Sequence, residues 1–228
     1  MNVGSIGKAF QVRDGKMVVL GVGLRASAKR PSTVVALNQD SSIFSMEPFG
    51  GDDELAEFAQ NQKPVLISIG APLGLPLGLD CLESTCSCDF SVAQRKGRLL
   101  ELELSRMGIS CFFTNKGSII RSLIYRGIAL SQRLRGMGFE VVESYPHATK
   151  MILFGDKVPP KNSAASLAFL KERLSPLISG LDGHTNGMDR HSCDAVLNAY
   201  TGLLHTQDGT DVLGDEEEGT LVLPKLPR

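Results

Sequence analysis

Several groups of residues in this chain carry types and spacings that could do chemistry. Cys81, Cys86 and Cys88 form a C-x₄-C-x-C cluster, with Cys111, Cys193 and His147 elsewhere. A structural zinc site wants four tetrahedral nitrogen or sulfur ligands, with paired ligands two to four residues apart. The first gap fits and the second is poor, so buried thiols are preferred over zinc. The run from Asp189 to Asp194 gathers an acid, His191 and Cys193. A nucleophilic Cys–His pair needs facing side chains, which near neighbours on one helix do not provide. The alternative, preferred here, is that Asp189 caps a helix and Cys193 packs inward. The glycine turn from Gly21 to Arg30 holds Arg25, Lys29 and Arg30 and could cradle phosphate through backbone N–H groups. A solvated hairpin turn is the competing reading.

Residues 95–135 hold nine basic side chains against Glu101 and Glu103, interleaved with Phe112, Phe113 and Tyr125. Such a surface suits contacts to a phosphate backbone and stacking on bases. Arg121, Arg126 and Arg133 are the candidate nucleic-acid contacts. The alternative is a solvated helix face whose aromatics are core. Tyr145–Pro146–His147 follows a predicted strand, where open α/β folds place their ligands. Tyr145 therefore either lines a cleft and contacts nucleic acid or closes the core edge.

The elements that must position these residues begin with three short apolar runs: Met17–Leu24, Thr33–Leu37 and Ile43–Met46. Each is strand-sized and joined to the next by turn residues, which makes an antiparallel meander. Asp52–Asn61 reads as a helix with acids in its first turn. Val65–Ile69 is a fourth strand, and Glu140–Pro146 a fifth. Helices fit Arg98–Arg106, Ile119–Met137, Ala164–Ile178 and His191–His205. Gly209–Gly219 reads as an acidic loop and Thr220–Leu223 as a short terminal strand. A doubly wound nucleotide fold is disfavoured, because it needs a helix after strand one. The expected organisation is an N-terminal extension over 1–16, then a single domain over 17–228 with a helical insertion at about 78–117.

The chain has 228 residues, 42% hydrophobic and 21% charged, with 24 Lys+Arg against 25 Asp+Glu. A chain of that composition can bury a sizeable core, and disorder throughout is excluded. A net charge of −1 excludes a uniformly basic binder but leaves room for a local basic surface. No apolar run approaches the ~20 residues of a membrane span, so no membrane partner is expected. The start lacks the apolar core of a signal peptide, which makes a cytoplasmic address the default expectation.

The order of elements is that of a ribonuclease H-like α/β core: a three-strand antiparallel meander, two parallel strands, and helices on both faces of a five-stranded mixed sheet. The sequence resembles an uncharacterised family of predicted nucleases with that fold. The resemblance rests on Gly21–Val22–Gly23, on Ile69 to Pro76, on Glu143–Ser144–Tyr145–Pro146, on Asp194–Ala195, and on Gly214–Asp215 through Pro224. It implies metal-dependent cleavage of nucleic acid, with Mg or Mn held by carboxylates. The family pattern puts aspartates where this chain has Gly23 and Gly70. Glu143 and Asp194 are the remaining candidates for catalysis and metal binding, with Asp189 as a third metal ligand. With two ligands missing, the implied activity is weakened or lost. A non-catalytic nucleic-acid-binding or interaction protein on the same fold is the first alternative. A nucleotide- or phosphate-binding protein is the second.

Overall fold

The computed structural model describes residues 18–27, 29–86, 96–160 and 163–226. The expected N-terminal extension and Cys88 lie outside the described residues. The strands are β1 (Val18–Gly23), β2 (Ser32–Asn38), β3 (Ile43–Phe49), β4 (Leu66–Ile69), β5 (Val141–Ser144), β6 (Thr210–Asp215) and β7 (Gly219–Pro224). They form one sheet in the order β3-β2-β1-β4-β5-β7-β6. The meander β1–β2–β3 is antiparallel, while β4 pairs parallel to β1 and β5 parallel to β4. This is the ribonuclease H-like arrangement. The sheet has seven strands rather than five, because β7 adds parallel to β5 and β6 returns antiparallel along β7.

Two expectations are corrected here. The segment read as an acidic loop is strand β6 and its turn. The stretch read as the end of the fifth strand is the start of a helix, with Tyr145 as its extended N-cap and Pro146 at its first turn. Proline there is favourable, since its missing N–H would have no helical partner.

The helices are α1 (Asp52–Gln62), α2 (Leu99–Arg106), α3 (Arg121–Gly136), α4 (Pro146–Phe154), α5 (Ala164–Leu174) and α6 (Arg190–Thr206). Strand alternation assigns them to faces. Val18, Leu20 and Val22 pack with Leu55 and Ala59 of α1 and Leu130 and Leu134 of α3. Val19, Val35 and Leu37 pack with α5 and α6 through Leu170, Leu174, Ala195 and Ala199. Gly21 and Gly23 share that second face and let α6 lie almost on the backbone of β1. A Cβ on Gly21 would overlap the Ala199 amide.

Of the expected insertion, the one α-helix among the described residues is α2. It covers the β6–β7 hairpin, with Leu100 and Leu104 packed on Leu221 and Leu223.

Candidate functional site

At the carboxyl ends of β1 and β4 lies a cleft of about 260 Å³, bounded by the insertion, the start of α4 and the first turns of α6. Its floor is built around Arg98, whose side chain is 1% exposed. The Arg98 guanidinium grips Glu143 of β5 with two hydrogen bonds, Nη1 to Oε2 at 2.8 Å and Nη2 to Oε1 at 2.6 Å. Its Nε donates to Glu101 Oε1 at 3.2 Å. Burial opposes the charge on Arg98, but Glu143 and Glu101 outweigh it and raise its pKa. Glu143 Oε2 also accepts the Leu73 N–H at 2.7 Å. Glu101 is occupied too, accepting the backbone N–H of Arg98 and both the N–H and hydroxyl of Thr114. These buried charges are tolerated because each is paired and hydrogen-bonded.

The positions where the family pattern has aspartates are closed by packing. A Cβ on Gly23 would sit 2.5 Å from the His191 carbonyl oxygen. One on Gly70 would overlap Asn198 Nδ2. Asn198 sits in a buried hydrogen-bond chain across the sheet: Ser68 Oγ donates to Ser144 Oγ, Ser144 Oγ to Asn198 Oδ1, and Asn198 Nδ2 to the Val22 carbonyl at 2.8 Å. The neutral amide takes the space that an acid at position 70 would need.

The sequence-derived site residues separate accordingly. Glu143 and Asp194 do line one cleft, together with the buried Lys150 and with His147, His191 and Tyr145. Asp189 does not join them. It caps α6, accepting the Ser192 N–H at 2.9 Å, and pairs with Arg25 at 2.8 Å. Burial would raise its pKa, but the two Ser192 hydrogen bonds and Arg25 lower it below the usual carboxylate range. Cys193 is fully buried beneath the helix, and desolvation, helped by Asp194, pushes its thiol up to about 12. The cap-and-core reading of this helix is the observed one. Tyr145 donates its hydroxyl to the Ser110 carbonyl at 3.0 Å, and His147 Nε2 lies 3.3 Å from Ser110 Oγ. Burial raises the Tyr145 pKa.

The three α3 arginines named as nucleic-acid contacts each have an acidic partner. Arg126 pairs with Asp52 at 2.7 Å and donates to the Arg25 carbonyl. Arg133 pairs with Asp53, and Arg121 with Glu83 at 3.1 Å. Acids from α1 and the insertion answer these three cations, whereas Arg135 donates to the Val141 carbonyl. Cys81, Cys86, Cys111 and Cys193 are thiols.

Two of the three candidate metal ligands, Glu143 and Asp189, are already engaged by protein groups. Mg²⁺ or Mn²⁺ needs several carboxylate or water oxygens in near-octahedral array. Glu143 has both oxygens committed to Arg98 and to the Leu73 N–H, and Asp189 is committed to a helix cap. No cluster of three or more His, Cys, Asp or Glu side chains able to hold an ion occurs among the described residues. Arg98 was missed by sequence reasoning as a site residue. Its only signal was a basic residue directly before a helix, and its partner lies 45 positions away.

No family model matches the chain, and no curated protein matches it. Among solved structures, one described as "Thermus thermophilus RuvC structure" is similar, with 11% identity and a TM-score of 0.43, over 84% of this chain and 97% of that one. No helix among the described residues is long and apolar enough to cross a membrane.

Proposed function

We propose that this chain is a ribonuclease H-like domain whose cleft binds a ligand and does not hydrolyse phosphodiesters with metal ions. The observation that carries this reading is the bidentate grip of Arg98 on Glu143. A guanidinium occupies the coordination face that a divalent cation would need, and it is an internal, permanent cation. The closed positions at Gly23 and Gly70 support the same reading, since the missing carboxylates have no room to return. What remains in the cleft is a predominantly apolar wall, with Lys150 and Asp194 among its polar lining residues. Such a lining suits binding of a small molecule more than two-metal chemistry.

The test is direct. Purified protein is incubated with DNA, RNA and hybrid substrates and Mg²⁺ or Mn²⁺. The expected result is no cleavage above that of an Asp194→Ala variant. Robust cleavage that Asp194→Ala abolishes would refute the proposal.

A further inference from the structure

The cleft does not end at its own mouth. Leu24, Leu123 and His191 line it and also line a second, shallower recess of about 440 Å³. The second recess is walled by the β1–β2 loop and carries Arg25, Lys29 and Arg30. Lys29 and Arg30 are exposed, and neither makes a salt bridge among the described residues. Arg25 is held in place by its hydrogen bond to the Pro31 carbonyl and its pair with Asp189. Asp189 is already engaged by Ser192 and Arg25, so the recess sets three cations against one committed acid.

We propose that the two recesses are one binding site for a small amphipathic anion: an apolar, ring-sized body carrying a phosphate or carboxylate. The inference rests on the reading of the cleft as a binding site. The body enters between Pro72, Leu100 and Leu104, with the exposed Phe112 at the rim. The anionic group stays outside, on Lys29 and Arg30, where it keeps partial hydration. The inner end does not favour the anion, because Glu101 and Glu143 already balance Arg98 and the Asp194 carboxylate lines the same cleft as Lys150. Apolar contact fixes depth and charge fixes direction, a division of labour common to small-molecule sites.

The experiment is calorimetric titration in EDTA with 1-naphthyl phosphate, 1-naphthoate, 1-naphthol and inorganic phosphate. EDTA keeps the result independent of any metal-dependent cleavage, so failure here and failure of the nuclease test are separate. At least one naphthyl anion should bind about tenfold more tightly than naphthol and inorganic phosphate, the weight of one charged contact. Comparison of the two anions says whether phosphate or carboxylate is preferred. The double variant Lys29→Glu/Arg30→Glu, in an exposed loop, should lose about tenfold in affinity for that anion with its unfolding midpoint unchanged. Phe112→Ala should weaken both naphthyl anions and naphthol alike. The proposal is overturned if naphthol binds as well as the anions, if the double variant binds like the parent, or if no probe binds at ~1 mM.

Discussion

At the residue scale the decisive group is Arg98. An arginine 1% exposed is stable only while its partners are present, because an unpaired buried charge costs far more than an unmade surface pair. Arg98→Met should therefore destabilise the protein by about 3–5 kcal/mol in urea unfolding, with Glu143 left buried and unanswered. Glu143→Gln should be of similar sign. The double variant Arg98→Met/Glu143→Leu should recover part of the loss, because it removes the orphaned charge of Glu143 while Glu101 keeps its Thr114 hydrogen bonds. If the double variant is as unstable as the sum of the singles, Arg98 and Glu143 do not act as a coupled pair. The glycines at 23 and 70 were legible in the sequence as departures from a pattern. What the sequence could not show is that helix backbone and an asparagine occupy the space a side chain there would need.

At the element scale, α6 was the most legible part of the site. Its periodicity, the cap at Asp189 and the inward Cys193 can all be read from local sequence, because capping and burial act over a few residues. Asp189→Ala should cost about 1 kcal/mol near neutral pH. The folded pKa of Asp189 is lowered, so its contribution is present above the unfolded carboxylate value and fades as pH falls through the folded one. The difference between parent and variant melting curves should accordingly close on acidification below about pH 4.

Strand β6 was not legible, because acids and glycine make up half of it and an edge strand needs only one paired side. Its turn is anchored by contacts far apart in sequence. Glu218 is 2% exposed and accepts the Leu77 N–H at 2.7 Å and the Leu99 N–H at 2.6 Å. Glu218→Ala should release both amides to hydrogen exchange together, whereas β1 amides stay protected. Independent exchange of Leu77 and Leu99 in the variant would contradict this anchor.

At the scale of the whole molecule, segregated charge was legible, but the pairing of the segments was not. Residues 31–62 hold six acids and no basic residue, and 95–135 hold nine bases. Read along the chain, this suggests a basic face for nucleic acid. Folding brings α1 against α3, and Asp52 and Asp53 take up Arg126 and Arg133. The pairing is a tertiary fact that composition cannot express. The exposed Lys29 and Arg30 of the β1–β2 loop make no ion pair among the described residues. Binding to a duplex oligonucleotide near 50 mM salt should therefore be weak, with a log K against log salt slope no steeper than about −2. A slope of −5 or more would mean that five or more phosphates are contacted, which the β1–β2 loop alone does not supply.

The close seat of α6 on β1 has a consequence for sequence change. Glycine and aspartate codons differ by a single base, so at positions 23 and 70 the two-carboxylate site is a short distance away in the genetic code. In packing it is remote: a side chain at 23 must displace the His191 carbonyl, and one at 70 must displace Asn198 and the serine pair behind it. Each step taken alone lowers stability before any chemistry is gained. The helix thus holds positions 23 and 70 to glycine, through its backbone at the first and through Asn198 at the second.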